Sequence, residues 1–216
     1  MVFTPATNPG SGEAFRALLE ASYEKRNLVQ LPAGSTVPLL RKSVWLVVRG
    51  MVKLSALSIH GDEMLLGLAG PNEPFGDPLT NVEAYTATSL CDSDLLCLSC
   101  EEIGREPHLA MALLQGLAAR YRQSEALLAL LGLRRVEDRV RGFLELLAHD
   151  YGQPCEQGLR LSIKLTHQEI ACALSTTRVT VTRVLGALRE EGWLQIDTNR
   201  RLVISHLPAP ERRRCR

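Results

Sequence analysis

The pattern of residues 166–191 constrains the fold of this chain more than any other segment, because it predicts two short helices separated by a polar break. Thr166 and Glu169 have the spacing of a capping box, which marks the start of a helix. In the second helix, apolar residues at i, i+3, i+4 and i+7 predict the face that points inward: Val181, Val184, Leu185 and Leu188. The segment therefore predicts a helix-turn-helix.

The outer face of this second helix carries four residues near its N-terminus, namely Arg178, Val179, Thr182 and Arg183. In a recognition helix this is the part that meets base edges in the major groove of DNA. Arginine can form two parallel hydrogen bonds with guanine O6 and N7, so the pattern predicts a reader of double-stranded DNA. The alternative is an ordinary helical hairpin whose arginines are only solvated.

The distribution of charge favours the DNA-binding interpretation. The net charge of the whole chain is only +1. However, acidic residues are in excess over residues 1–134, whereas basic residues are in excess over residues 135–216, which contain the predicted helix-turn-helix. A basic excess is what contact with phosphates requires. The chain shows no long apolar run and no secretory leader, which predicts a cytoplasmic protein without contact with a membrane.

The N-terminal half of the chain has a different texture, with short apolar runs separated by turn residues. Many short strands at regular spacing predict a β-sandwich or jelly roll. A short helix is expected before them, at residues 13–25. The predicted strands are Val44–Val48, Val52–Leu57, Met64–Leu68, Tyr85–Leu90 and Leu95–Leu98.

A long helix is predicted from Pro107 to Leu133, with two apolar faces. One face has the alternating spacing of four and three that is typical of a coiled-coil seam, and we expect it to form a homodimer through residues 107–133. The alternative is one helix buried within a monomer. The seam consists of Ala110, Leu114, Leu117, Tyr121, Ser124, Leu128 and Leu131, and the second face of Leu109, Leu113, Leu127 and Leu130.

The C-terminal part predicts a winged helix. A helix over Val136–Asp150 is followed by a loop at Gly152–Gly158 and by a strand through Leu159, Leu161, Ile163 and Leu165, which runs into the helix-turn-helix. Trp193–Ile196 and Leu202–Ile204 then flank a turn and predict a β-hairpin wing.

The whole chain is thus predicted to be an α+β protein with a jelly-roll sandwich, a dimerisation helix and a winged helix. The predicted divisions are a flexible tail at 1–12, an effector-type sandwich at 13–105, a dimerisation helix at 106–134, a DNA-binding domain at 135–207 and a basic tail at 208–216.

This order of elements resembles the CRP/FNR family of bacterial transcription regulators, whose sandwich is cyclic-nucleotide-binding-like. The motif that carries most of the resemblance is the run from Ser175 to Gly186, STTRVTVTRVLG, preceded by LTHQE at residues 165–169. It looks like the nitrogen-regulator branch of cyanobacteria. The resemblance implies a homodimer that regulates transcription at a palindrome with GTA and TAC arms, with RNA polymerase as a further partner.

The resemblance also implies roles for individual residues. Arg178 and Arg183 match the two base-reading arginines of the family. Val179 replaces a glutamate of the catabolite-activator branch, and valine can pack on a thymine methyl but cannot accept a hydrogen bond. Positions that usually touch phosphates, and so set the register on DNA, are occupied by Thr166, His167, Gln168 and Thr177.

In the sandwich, the resemblance implies an effector pocket that begins at Phe75-Gly76. A cyclic-nucleotide site of this family needs an arginine on the following strand, yet residues 50–104 contain no arginine and only Lys53 as a lysine. A buried cyclic phosphate would therefore lack its counter-charge, which costs several kcal/mol, so cAMP is not expected.

The nitrogen-regulator branch binds 2-oxoglutarate and also uses an arginine on that strand, where this chain has Glu83. On the long helix, Arg120 and Glu125 match the branch's effector-contacting pair. Three alternatives stay open: Arg120, Arg122 and Lys53 suffice for 2-oxoglutarate, another effector is bound, or none is needed. Arg120 could equally form a salt bridge between helices.

Other functional classes have weaker support in the sequence. The pair Cys97 and Cys100 lacks a second pair or matching histidines, so no metal site is predicted. No nucleotide-binding, serine-hydrolase or zinc-protease motif occurs, so no enzyme is predicted. The remaining alternative is a regulator that binds an effector or a partner and whose winged helix makes protein contacts.

Overall fold

The computed structural model describes residues 27–59 and 61–205. The predicted helix at residues 13–25 and both predicted tails, 1–12 and 208–216, lie outside the described residues. Contacts divide the chain into two compact units, Met1–Glu125 and Ala126–Arg216. The expected α+β class, with a β-rich N-terminal part and a C-terminal helix-turn-helix, is confirmed.

The first unit contains a β-sandwich of two antiparallel sheets. One sheet has the strand order β1-β7-β2-β5 and the other β4-β3-β6. A short 3-10 helix, Asp77–Leu79, follows β5. The strands are β1 (Val29–Leu31), β2 (Ser43–Arg49), β3 (Val52–Leu57), β4 (Glu63–Ala69), β5 (Pro74–Phe75), β6 (Tyr85–Ser89) and β7 (Ser93–Ser99).

All five predicted strands of the sandwich are present, and two further strands, β1 and β5, were not predicted. Both are short, with three and two residues, so neither offers a detectable alternation of apolar and polar residues. The inner faces of the two sheets form a core in which nearly every side chain is fully buried, with Val37, Trp45, Val47, Val52, Leu54, Ala69, Phe75, Ala87 and Leu95.

Two helices follow the sandwich. The helix α1 (Cys100–Arg105), capped by the Ser99 side chain, was not predicted. The long helix α2 (Pro107–Leu131) was, and it contributes to both units, since the division between them falls at residue 125. Near its start, α2 packs against the outer side of the first sheet, where it buries Leu109, Ala112 and Leu113 together with Leu46, Leu96 and Leu98.

The second unit is a winged helix. Its helices are α3 (Val136–Tyr151), α4 (His167–Ala173) and α5 (Arg178–Glu190). A four-stranded antiparallel sheet has the order β10-β11-β9-β8. Its strands are β8 (Gly152–Cys155), β9 (Gly158–Leu161), β10 (Leu194–Ile196) and β11 (Leu202–Ile204).

Two predictions for this unit were wrong. Residues 152–158 are not a simple loop, because Gly152–Cys155 forms the edge strand β8, which pairs with β9. A proline is tolerated there, since an edge strand leaves one row of backbone groups unpaired. The strand predicted to extend to Leu165 ends at Leu161 instead.

Within the described residues, no helix is long and apolar enough to span a membrane.

Candidate nucleic-acid interface and effector pocket

The first helix of the helix-turn-helix starts at the predicted cap. The Thr166 side chain accepts a hydrogen bond from the Glu169 backbone N–H, and the Glu169 carboxylate accepts one from the Thr166 backbone N–H. These two bonds satisfy amides that a helix start leaves unpaired. The hydroxyl of Thr166 also lies 2.8 Å from the Glu169 carboxylate. Thr166 therefore fixes where α4 begins.

The turn after α4 places the second helix. Ser175 has a φ of 49°, and Thr177 caps α5 by accepting a hydrogen bond from the Thr180 backbone N–H at 3.2 Å. The inward face is as predicted, because the side chains of Val181, Val184, Leu185 and Leu188 are buried. The polar break and the inward apolar face together fix which side of α5 faces solvent.

The outward face of α5 carries the four residues predicted to read bases. Val179 is 79% exposed, which is unusual for valine in a folded chain, and Arg178, Thr182 and Arg183 are exposed as well. Neither guanidinium forms a hydrogen bond or an ion pair with any described residue. Their guanidinium groups therefore keep all their donors for a ligand.

Two residues of α4 that were predicted to touch phosphates have partners within the unit. Nδ1 of His167 lies 2.8 Å from the hydroxyl of Thr182 on α5, and that hydroxyl donates to the Arg178 carbonyl at 2.9 Å. Nε2 of Gln168 is 3.3 Å from Sγ of Cys172. The structure thus joins the predicted phosphate-contacting helix to the predicted base-reading helix through one side-chain contact.

A groove of about 320 Å³ lies beside this contact, between the helix-turn-helix and the wing. Its lining includes His167 and two exposed basic residues that the sequence analysis did not select, Lys164 and Arg200. Arg200 stands in the wing turn with a φ of 57°. Both could have been found from the sequence, because Lys164 is a polar position of the predicted strand before the helix-turn-helix and Arg200 lies between the two predicted strands of the wing.

A third residue that the sequence analysis missed braces the end of α5. Arg141 of α3 forms a 2.6 Å ion pair with Glu191, and its guanidinium lies 4.7 Å from the centre of the Trp193 ring. Ion pairing and cation–π attraction therefore act on one side chain. Arg141 links α3, the end of the recognition helix and the start of the wing.

In the first unit, the structure directs Arg120 of α2 toward the β4 strand. Its Nη1 donates to the Leu68 carbonyl at 2.8 Å and to Oε1 of Gln123 at 3.1 Å. Gly67 makes this possible, because a Cβ on it would lie 2.3 Å from Nη1 of Arg120. Gln123, which the sequence analysis missed, is 4% exposed and also accepts from the Leu68 backbone N–H at 2.7 Å.

Tyr85 of β6 is close enough to interact with both Arg120 and Gly76. Burial raises the pKa of Tyr85 to about 12, while the Arg120 charge and a hydrogen bond from the Gly76 backbone act in the opposite direction. Tyr85 therefore interacts with two of the residues predicted for the effector pocket, Arg120 and Gly76. The sequence analysis identified Tyr85 only as the first residue of a predicted strand.

The other residues predicted for the effector pocket lie elsewhere. Phe75 is 2% exposed and belongs to the core between the sheets. Lys53 forms a 2.7 Å ion pair with Glu63. Its neighbour Leu54 pairs with Gly67 across the sheet, and successive strand residues point to opposite faces, so Lys53 lies on the other face of β3 from Leu54. Glu125 is exposed on α2 and bonds the Tyr121 hydroxyl, which raises the pKa of Tyr121.

Glu83, which was expected to occupy the place of an arginine on β6, is exposed in the loop before that strand. Burial alone would raise the pKa of the Glu63 carboxylate. Hydrogen bonds from Lys53 and Ser55, together with the Lys53 charge, outweigh burial and lower this pKa.

In the part of the chain that the structure describes, no group of three or more His, Cys, Asp or Glu side chains could hold a metal ion.

The two apolar faces of α2 differ in exposure. The face predicted to pack within the chain is buried, with Leu109, Leu113, Leu127 and Leu130 at 1–6% exposure. The face predicted as a dimer seam leaves large apolar side chains in solvent, and its three most exposed members, Leu114, Tyr121 and Leu128, are 56%, 65% and 69% exposed. Met111, at 62%, adjoins this seam.

Known proteins share both the sequence and the fold. The family of Crp-like helix-turn-helix domains matches residues 138–209. A global nitrogen regulator of Nostoc is 32% identical over 204 residues, which cover 90% of this chain and 88% of the relative. A global nitrogen regulator of Synechococcus elongatus is 36% identical over 172 residues, which cover 75% and 77%.

A solved structure shows the same architecture. The crystal structure of a CRP/FNR-family transcriptional regulator from Thermus thermophilus matches with a TM-score of 0.66 at 26% identity, over 82% of this chain and 93% of that one. The sandwich, the long helix and the winged helix are thus the elements of a known regulator fold. Together with the relatives, they show that this chain belongs to the CRP family of transcription regulators, is similar to global nitrogen regulators, and is not an enzyme.

Proposed function

We propose that this protein acts as a homodimer that reads a DNA palindrome with GTA and TAC arms. The observation that carries the proposal is the outward face of α5, where the guanidinium groups of Arg178 and Arg183 have no partner among the described residues and Val179 is 79% exposed. Each arginine can make a bidentate contact with guanine, and Val179 can pack on a thymine methyl. A face of this kind has donors for guanine and an apolar surface for thymine.

Residues around this face would set the register on the phosphate backbone. Thr166, His167, Gln168 and Thr177 all lie at the starts of α4 and α5, where helix amides and the helix dipole favour an anion. We add Lys164 and Arg200, because they are exposed cations on the groove beside His167. Contacts of this kind position a protein without reading sequence.

The test is a titration with labelled palindromic DNA in which the arginines are replaced one at a time. Arg178→Ala and Arg183→Ala should each weaken binding by about five- to 150-fold per half-site, the range that one bidentate guanine contact supplies. Arg189→Ala is the matched control, because Arg189 is an exposed arginine in the last turn of the same helix. If Arg178→Ala and Arg183→Ala bind no more weakly than Arg189→Ala, the proposal fails.

The dimer is supported by the exposed face of α2. Leu114, Tyr121 and Leu128 follow the four-and-three spacing of a seam, and a second copy of the same helix would bury them. Two recognition helices related by a two-fold axis would then meet half-sites about 10 bp apart. Leu114→Asp with Leu128→Asp should give a monomer by analytical ultracentrifugation and lose binding to the palindrome, whereas a dimer would exclude this seam.

We propose further that an anionic effector binds at Arg120, with 2-oxoglutarate as the first candidate. Nη1 of Arg120 is used by Leu68 and Gln123, but a guanidinium has five donors, so Nε and Nη2 still offer a fork for a carboxylate. Tyr85 is close enough to interact with the Arg120 charge, and the Gly76 backbone donates a hydrogen bond to Tyr85. A cyclic nucleotide is disfavoured, since no arginine of residues 50–104 is available for its phosphate.

Calorimetry with 2-oxoglutarate, and with cAMP as a comparison, tests the effector. We expect saturable binding of 2-oxoglutarate that Arg120→Ala abolishes and Arg122→Ala leaves intact, because Arg122 is an exposed arginine two positions further along the same helix. No heat at millimolar 2-oxoglutarate would exclude it. Binding of RNA polymerase, and activation against repression, stay predictions from the family resemblance.

A further inference from the structure

The side chain of Thr182 has two hydrogen-bonding partners, although it lies on the exposed face of α5. Its hydroxyl donates to the Arg178 carbonyl at 2.9 Å, and Nδ1 of His167 lies 2.8 Å from the same oxygen. A threonine hydroxyl has one proton, and that proton points to the carbonyl. The His167 ring must therefore be the donor in the second bond, which places a proton on Nδ1.

This arrangement limits what Thr182 can do at a base edge. With its proton directed to Arg178, the hydroxyl cannot donate to guanine O6 or N7, to adenine N7 or to thymine O4. The part of the side chain that makes no hydrogen bond is the methyl group. Val179 lies three residues earlier on the same helix face, so the two residues are neighbours.

We propose that His167 is a positioning residue for base reading, which holds the Thr182 hydroxyl so that its methyl group and Val179 form one apolar surface for thymine methyls. The inference rests on the proposed function, because it requires that α5 reads DNA. It separates two roles of one ring: Nδ1–H orients the reading helix, and Nε2, which carries a proton only in the charged imidazolium, donates in that form to the phosphate that the family resemblance implies.

Two substitutions separate these roles. In His167→Asn, the amide nitrogen takes the place of Nδ1 and can still donate to Thr182, but nothing reaches the position of Nε2. In His167→Gln, the longer amide takes the place of Nε2 and the donor to Thr182 is lost. Thr182→Ser provides a third case, because serine keeps both hydrogen bonds and lacks the methyl group.

The experiment measures binding to the palindrome with each thymine pair replaced in turn by deoxyuridine, which removes only the methyl group. For wild-type protein, we expect one replaced pair to weaken binding about fourfold per half-site, the factor for one buried methyl group, and Thr182→Ser to remove that penalty. His167→Gln should reduce the same penalty to less than twofold. His167→Asn should keep it, while binding all sequences more weakly.

The outcomes separate the inference from the function on which it rests. If wild-type protein does not prefer the palindrome over unrelated DNA, the proposed function fails. If wild-type protein does prefer the palindrome, two results would refute the positioning role of His167. One is that no deoxyuridine penalty depends on Thr182, and the other is that His167→Asn loses the penalty as completely as His167→Gln. Trp193 fluorescence on unfolding checks that all variants keep a folded second unit.

Discussion

Replacing Gly116 by alanine should destabilise the first unit, although alanine is the better helix former. Gly116 is buried in α2, where a Cβ would lie 2.4 Å from the Asn72 carbonyl oxygen and 2.5 Å from Cδ of Pro74. Both atoms are rigid, since one is backbone and the other part of a ring. The helix must therefore move away from the loop at residues 70–74, or the loop must move away from the helix.

The loop is fixed to the sandwich and cannot move cheaply. The Asn72 backbone N–H donates to the Val47 carbonyl at 2.8 Å, and the Gly70 N–H donates to the Glu73 carboxylate at 2.8 Å. Asn72 itself has a φ of 69°, which few residues other than glycine adopt. Overpacking of this kind costs about 1–3 kcal/mol, and the gain in helix propensity is about 1 kcal/mol. We expect a net loss on the order of 1 kcal/mol.

The two tryptophans of the chain allow the measurement, because Trp45 lies in the core of the first unit and Trp193 in the second. Urea unfolding of Gly116→Ala in a Trp193→Phe background, at fixed protomer concentration, reports the first unit. The matched control is Gly186→Ala in α5, measured by Trp193 fluorescence in a Trp45→Phe background. A Cβ at Gly186 would meet nothing within 4 Å, so this substitution should stabilise the second unit by about 1 kcal/mol. A Gly116→Ala variant as stable as its background would refute the steric argument.

Three further predictions follow from individual side chains. Burial raises the pKa of Tyr85 to about 12, so the stability that its protonated hydroxyl contributes is fully present below pH 10 and is lost as the pH rises toward 12. Between pH 10 and 12, the free energy of unfolding of the first unit in urea should therefore fall by about 3 kcal/mol less in Tyr85→Phe than in wild type. An equal fall in both proteins would contradict this assignment. Arg178 is a cation at the first position of α5, where the helix dipole disfavours positive charge. Arg178→Ala should therefore raise the stability of the second unit by about 0.3–1 kcal/mol while it weakens DNA binding. A variant that loses both stability and DNA binding would point to a structural role for Arg178. Arg141→Met should keep the stem of this side chain but lower the stability reported by Trp193 by about 1 kcal/mol or more, because the ion pair with Glu191 and the contact with the ring are both lost; stability equal to wild type would show that Arg141 is not a brace.

The parts of the fold that depend only on residues close together in the sequence were predictable. The cap at Thr166 needs only Glu169 three residues later, and the inward face of α5 follows from the spacing of its apolar residues. The edge strand β8 was missed for the opposite reason, because its glycine and proline are turn residues in a local reading. Only the pairing with β9, which the sequence does not display, makes Gly152–Cys155 a strand.

The candidate sites divide in the same way. The exposed face of α5 was predictable, since it is what remains when the apolar face is turned inward. The contact between His167 and Thr182 was not, because it joins residues 15 positions apart across the turn. Arg120 was selected from the sequence by resemblance, but its direction depends on the missing side chain of Gly67 on a strand more than fifty residues away.

The two arginine sites also differ in what they contribute to the fold, and this difference determines how their variants must be interpreted. The guanidinium groups of Arg178 and Arg183 have no partner among the described residues, so removing them breaks no contact of the fold and a loss of DNA binding reports recognition. Arg120 supports β4 through the Leu68 carbonyl, and a hydrogen bond from a charged group contributes about 1.5–3 kcal/mol. Arg120→Ala should therefore lose stability along with any effector binding. Arg120→Lys separates the two, because a lysine ammonium can still donate to the Leu68 carbonyl but lacks the planar fork for a carboxylate. We expect this variant to keep the stability reported by Trp45 and to lose most of the affinity for 2-oxoglutarate; wild-type affinity in Arg120→Lys would show that the fork does not bind the ligand.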